Sequence, residues 1–292
     1  MEETKRFLIF DSNSLIHRAY HALPPLTTKN GEVVGAVYGF LLVFLRAVKE
    51  LKPDFVAAAF DVKGPTFRHE QYSGYKAKRI KAPDNLYSQI PIVKDVLKSF
   101  GVNIFEKEGF EGDDVIGTLA DLAPRKQVLP KLETVIVSGD TDTLQLVDEK
   151  TKAYILRKGV KDIVLYDDNA VKEKYQGLVP SQLLEYRALK GDPTDNITGV
   201  PGIGEKTAIE LISQFGTLDN IYENIEKIRP RVKELLLLHK ETAYLSRDLS
   251  QIHKNVPLDF NLQNCPWSNY DKSLASQKIE ELGFVSLIPR LP

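Results

Sequence analysis

Three short apolar runs punctuate the first half of the chain, and each closes on an aspartate: "RFLIFD" at Asp11, "DFVAAAFD" at Asp61 and "TVIVSGD" at Asp140. They are of strand length and apolar at successive positions, the pattern of strands covered on both faces. Between the first two, Val37, Phe40, Leu41, Phe44, Leu45, Val48 and Leu51 recur at helical spacing. "LYSQIPIVKDVLKSFG" predicts a second helix, stopped by Gly101 in the left-handed position just past its end. "VNIFE" predicts a further strand, and "GDDVIGTLADLA" a helix with its acids at the start. Strand alternating with helix implies an α/β architecture, a central largely parallel sheet flanked by helices. Ligands of such sheets bind beyond the carboxyl ends of the strands, so Asp11, Asp61 and Asp140 are expected along one edge.

From about Lys172 the pattern changes to short, charged helical pieces: "SQLLEYRALKG", "GEKTAIELISQFG" and "RPRVKELLLLHKETAYLSRDLS". We expect an α/β domain over 1–172, a small helical domain over 173–268 and a C-terminal tail over 269–292, the chain turning irregular after "NVPLDF". No internal repeat or low-complexity tract interrupts this plan. A length of 292 residues suits one or two domains, and 42% hydrophobic with 27% charged residues describes a soluble globular protein. The longest apolar run, Val37 to Leu45, is too short to span a bilayer, and the N-terminus has no signal-peptide core. Cys265 is the sole cysteine, which excludes an intrachain disulfide or a multi-thiolate zinc site and fits a reducing compartment. The reading is a cytoplasmic protein. Its net charge of −1 says nothing about partners, but the charges are unevenly spread.

An aspartate where a strand meets a helix is often a simple N-cap. The number of acids argues for more: "FEGDDV" adds Glu111, Asp113 and Asp114, "SGDTD" adds Asp142, and "KGDPTDN" adds Asp192 and Asp195. Gathered acids repel, and such a group is costly unless a cation compensates it. With no histidine or cysteine among them, oxygen donors of this kind suit Mg²⁺ or Mn²⁺. Two such ions about 4 Å apart would suit in-line displacement at phosphorus, the design of a phosphodiesterase or phosphatase.

Directly after Asp61, the segment Lys63 to Lys81 holds Lys63, Arg68, Lys76, Lys78, Arg79 and Lys81 against Glu70, with Phe67, Tyr72 and Tyr75 interleaved. Composition alone also describes a solvated surface helix. Beside a cluster of acids, cations for phosphates and aromatic faces for bases fit single-stranded nucleic acid. In "ITGVPGIGEKTAIELI", Gly199, Gly202 and Gly204 permit a tight turn whose N–H groups, with the start of the following helix, can hold a phosphate.

Taken together, these segments resemble the 5′ nuclease domain of bacterial DNA polymerase I, within the wider flap endonuclease group. The likeness covers nearly the whole chain, through "FLIFDSNSLIHRAYHALP", "AFDVKGPTFRHEQYSGYKAKR", "EGFEGDDVIGTLA", "VSGDTDTLQLV", "ALKGDPTDNITGVPGIGEKTA" and "ELGFVSLIPRLP". It implies a PIN-like 5′ nuclease fold followed by a helix-hairpin-helix domain. The implied activity is a metal-dependent 5′-3′ exonuclease and flap endonuclease acting on 5′ flaps, nicks and RNA primers in replication and repair. By the same resemblance, Asp11, Asp61, Glu111, Asp113, Asp114, Asp140, Asp142, Asp192 and Asp195 would be metal ligands or near ligands, for Mg²⁺ with Mn²⁺ as a substitute. Lys76 and Arg79 would be the catalytic cations of the gateway, with Arg68 nearby, Tyr75 offering a stacking face and Arg18 facing a phosphate. The glycine hairpin with Lys206 would hold downstream duplex, with a K⁺. The protein would be a monomer that works with a polymerase domain in cis or in trans. Ser12 and Thr198 stand where the family usually has glycine and proline, and neither change removes a carboxylate.

Rival readings follow from the same segments. "VIVSGDTDT" also resembles the DxDxT motif of haloacid-dehalogenase-like phosphatases, a reading that leaves Asp11, Asp61 and the hairpin unexplained. A PIN-type ribonuclease shares the carboxylate layout but lacks the hairpin, and a non-catalytic DNA-binding module has no reason to carry every acid.

Overall fold

The computed structural model describes residues 4–125, 131–267 and 270–292. Its strands are β1 (Lys5–Asp11), β2 (Phe55–Ala59), β3 (Asn103–Phe105), β4 (Leu132–Ser138), β5 (Thr151–Lys158) and β6 (Asp162–Tyr166). They form one sheet in the order β3, β2, β1, β4, β5, β6, parallel except for β6. The order reverses between β1 and β4, and a sheet of this kind opens a crevice at that point. The three aspartate-tipped runs are β1, β2 and β4, which are neighbours, so their ends share one edge as expected.

Alternation along β1 divides two cores. Leu8 and Phe10 face a cluster with Phe40, Leu41 and Phe44 of the helix Gly35–Leu51 and Val93, Val96 and Leu97 of the helix Gln89–Ser99. Phe7 and Ile9 face Val115, Ile116 and Leu119 of the helix Gly112–Arg125. Both faces are therefore dry, which is why these strands carry so few polar residues. Gly101 has φ of 67° just past the helix Gln89–Ser99, the role expected of it.

β5 and β6 are a hairpin that the strand-helix alternation does not announce. Charged residues bound the short apolar run of "TKAYILRK" on both sides, and the turn at Gly159 (φ 61°) reverses the chain without a crossover helix. One face of β5, through Ala153 and Ile155, joins the core of the helical region, which is built on Leu183, Leu189, Ile203, Ala208, Ile212 and Leu236.

The expected irregular C-terminus is also different. Residues 252–267 run back across the sheet, where Ile252, Phe260, Leu262 and Cys265 pack on the Phe7 and Ile9 face, and the Cys265 carbonyl accepts from Val56 N at 2.9 Å. The helix Lys272–Glu281 then buries Ala275 and Ile279 in the Phe40 cluster. Its apolar positions are few and its charges many, so its contact face is faint in the sequence. Among the described residues no helix is long and apolar enough to cross a membrane.

Candidate active site

A cleft of about 720 Å³ opens at the carboxyl edge of the sheet, walled by Asp11, Asp61, Glu111, Asp113 and Asp140 on one side, with Lys76, Arg79 and Arg18 at its margins. Asp11 ends β1, caps the helix Ser12–Ala22 through Ser14 N at 3.2 Å, and accepts from Ser138 Oγ at the end of β4. Capping and cleft placement coincide in this residue. Ser138 Oγ also accepts from Asp140 N at 2.9 Å, tying the two strand ends together across the switch point. Asp61 follows β2, and its carboxylate accepts from Gly112 N at 2.6 Å. A Cβ at position 112 would stand 3.1 Å from that oxygen, so this glycine lets the helix Gly112–Arg125 start against the acid.

Asp113 projects from that start. Burial first, then the charges of Asp11, Asp140, Asp142 and Glu111, hold its carboxyl well above the ordinary aspartate range. Asp11 is raised too, by burial and by Asp61, against the lowering influence of its bonds to Ser138 and Ser14. Acids from β1, β4 and the helix Gly112–Arg125 thus lie within electrostatic reach of one another in a poorly solvated place. This is the arrangement a hard cation relieves, and the donors are oxygen throughout. Among the described residues no group of three or more such side chains stands ready to hold a metal ion as the chain is arranged.

The remaining acids are paired with the chain's own cations. Glu111 accepts from Lys76 Nζ at 2.7 Å and from the Tyr75 hydroxyl at 3.0 Å. Asp195 accepts from Arg79 Nε at 2.9 Å and from Tyr75 at 3.3 Å. Arg187, on the helix Leu183–Lys190, grips both oxygens of Asp142 and lies 3.5 Å from Asp192. Burial nevertheless pushes Asp142 up to about 6, with Asp140 adding to the rise and Arg187 opposing it. The sequence by itself does not set Arg187 apart. Its signal there is slight: a basic residue in the last turn of a helix that leads into Asp192.

Several expected roles change once burial is seen. Arg68, expected near the nucleic acid, is 2% exposed and donates at 2.7 and 2.8 Å to the two oxygens of Asp114, with the Leu249 and Gln251 carbonyls taking further N–H groups. It has no face for a phosphate. Asp114 is fully buried, and besides Arg68 it accepts from Glu111 N and His253 N, so it braces the cleft from behind. Tyr75 is 3% exposed with its hydroxyl between Glu111 and Asp195, and Phe67 packs on Phe110 and His253, so these rings are not stacking faces for bases. Gly199 is buried and its N–H goes to Ser246 Oγ at 3.0 Å. A Cβ there would lie 2.4 Å from Gly191 N, so this glycine serves close backbone approach rather than a ligand. Gly202, Gly204 and Lys206 are exposed, at and before the start of the helix Glu205–Phe215. Arg18 donates to the Arg157 carbonyl at 2.8 Å and to that of Gly139, which fixes it at the cleft wall beside His17, His21 and Lys158.

An α/β sheet with acids massed at its switch point, cations in the same cleft and a helical appendage has the layout that two-metal chemistry at phosphorus calls for. The chain belongs to the 5′-3′ exonuclease family: residues 6–176 match its N-terminal resolvase-like domain and residues 178–273 its C-terminal SAM fold. The chain is 42% identical over 290 residues to DNA polymerase I of Caldicellulosiruptor bescii, covering 98% of this chain and 33% of that protein. It is 37% identical over 292 residues to DNA polymerase I of Bacillus subtilis, covering 100% of this chain and 33% of that protein. It thus spans about a third of the length of these curated relatives. Among solved structures, the bacteriophage T5 flap endonuclease in a pseudo-enzyme-product complex with DNA and metal ions shares the fold with a TM-score of 0.71 at 16% identity, over 96% of this chain and 100% of that one. The catalytic core of Rad2 in complex with DNA substrate does so with a TM-score of 0.56 at 19% identity, over 99% and 93%. The phosphatase and PIN-type ribonuclease readings are not favoured by these likenesses.

Proposed function

We propose that the chain cuts DNA at 5′ flaps, nicks and RNA primers, as a monomeric nuclease unit working with a polymerase in cis or in trans in the cytoplasm. The observation that carries this is the convergence of Asp11, Asp61, Glu111, Asp113 and Asp140 on one cleft that Lys76 and Arg79 also line, with Asp142 within electrostatic reach of Asp113. Asp11, Asp61, Glu111, Asp113 and Asp140 from the cleft wall, with Asp142, Asp192 and Asp195 released from their cations, would hold Mg²⁺ or, in its place, Mn²⁺. Ions of this kind supply a hydroxide nucleophile near neutral pH and stabilise charge at the reacting phosphate.

The chain's own residues do the rest. Lys76 and Arg79 sit on an exposed segment and can exchange Glu111 and Asp195 for the phosphate of an entering strand. Asp114, locked by Arg68, fixes the turn that carries Glu111 and Asp113. Gly202, Gly204 and Lys206 offer exposed N–H groups and a positive charge at a helix start, suited to duplex phosphate and to a nearby K⁺. Polymerase relatives that continue beyond the matched third support the partnership in cis.

The experiment is cleavage of labelled 5′-flap, nicked and single-stranded DNA with Mg²⁺ or with EDTA. Flap and nick should be cut in Mg²⁺ alone, and Asp140→Ala should bind flap DNA without cutting it. Undiminished cleavage in EDTA, or wild-type turnover by Asp140→Ala, would remove the metal assignment.

A further inference from the structure

The acids in and around the cleft fall into two groups by what neutralises them. Glu111 and Asp195 are paired with Lys76 and Arg79, and Asp142 and Asp192 with Arg187, whereas among the described residues Asp11, Asp61, Asp113 and Asp140 take part in no ion pair. The two sets of cations are not alike. Arg79 has a side chain 47% exposed on a surface segment and can swing away. Arg187 is 14% exposed, rooted between Tyr186 and Ala188 on a helix whose other face is core. It reaches from the helical region to the turn Asp142–Leu146 after β4, with both terminal nitrogens on both oxygens of one carboxylate.

We propose that Arg187 is a built-in counter-ion for Asp142 and Asp192, a positioning residue that holds them in place without metal and that a divalent ion settling on them must push aside. The proposal rests on the reading of these acids as metal ligands. A guanidinium that stays put repels the incoming ion, and one that leaves loses a two-pronged, charge-assisted bond. Either way the ion on the Asp142 and Asp192 side must displace a cation already paired with its ligands, while an ion on the Asp11, Asp113 and Asp140 side breaks no ion pair and feels Arg187 only at longer range through Asp140. The two sites are therefore unequal, and Arg187 sets the difference.

The test is a Mn²⁺ titration of DNA-free protein, with free Mn²⁺ read by electron paramagnetic resonance, on wild type, Arg187→Met and Arg187→Lys. Melting curves of each in EDTA and in saturating Mn²⁺ accompany it. Wild type should bind two ions of unequal affinity, and Arg187→Met should tighten the weaker by about tenfold or more and the stronger by clearly less, since Arg187 also acts on Asp140 at longer range. Arg187→Lys, which keeps a charge but not the fork, should fall between. The Met variant should melt below wild type in EDTA and recover most of the gap in Mn²⁺, a recovery that loss of a merely structural contact would not give. If it is unfolded in EDTA, folding on addition of Mn²⁺ is the same result. Weaker or unchanged binding of the second ion, or an equal melting deficit in both buffers, overturns the proposal. A wild type that binds no Mn²⁺ overturns the reading of the acids as ligands, and this proposal with it.

Discussion

Single residues in this cleft owe their character to burial more than to type. Asp113 and Asp114 are adjacent, yet one is pressed by four acids and the other is locked to an arginine. A charge buried on its own costs several kcal/mol, so removing one partner of a buried pair is far worse than never having it. Arg68→Ala should therefore destabilise the protein by about 3–5 kcal/mol in urea unfolding. The folded variant should still bind flap DNA like wild type, because Arg68 faces no solvent. A variant of normal stability that had lost DNA affinity would mean that Arg68 turns outward to meet phosphate.

Elements place these residues by how closely they can approach. The helices Ser12–Ala22 and Gly35–Leu51 cross at Gly39, where a Cβ would stand 2.6 Å from the Ala19 Cβ and 3.3 Å from its Cα. Neither atom can rotate away. Gly39→Ala must push the first helix off the second, at a cost of about 1–3 kcal/mol for overpacking, even though alanine is the better helix former. Since that helix begins at Asp11, cleavage should fall along with stability. Unchanged unfolding in urea would show that the crossing relaxes freely and has no hold on the cleft. The helices and aspartate-tipped strands were legible because their periodicity is strong. The β5–β6 hairpin and the helix Lys272–Glu281 were not, since the two strands are short runs bounded by charges with no helix between them and the helix buries only Ala275 and Ile279.

At the scale of the molecule, the basic segment is fastened to the helical region. Lys76 N donates to the Asp195 carbonyl at 2.9 Å, and Asn196 Nδ2 to that of Gly74 at 2.7 Å. This docking sets Lys76, in left-handed conformation at φ 56°, over Glu111. A cation held where charge develops in the transition state acts on rate more than on affinity. Lys76→Ala should slow single-turnover cleavage at saturating protein by a factor on the order of 100, by analogy with loss of a preorganised donor. Lys206→Ala, at the exposed helix start proposed to meet duplex phosphate, should instead weaken binding and reduce the salt dependence of affinity by about one counterion. One flap substrate at several salt concentrations separates the two effects. A Lys76→Ala protein that lost affinity but kept its saturated rate would make the segment a landing surface alone.

Apolar period and the aspartates at strand ends determined the sheet, its carboxyl-edge cleft and the acid-rich chemistry, because a two-faced strand and a charge beside it are local facts of sequence. Tertiary structure decided which charges meet. Arg68 and Asp114 are 46 residues apart and Arg187 and Asp142 are 45 apart. Nothing in the composition of either segment tells a cation that will be buried on an acid from one left free for phosphate. That choice depends on desolvation, which exists only once the helical region has closed over the end of the sheet.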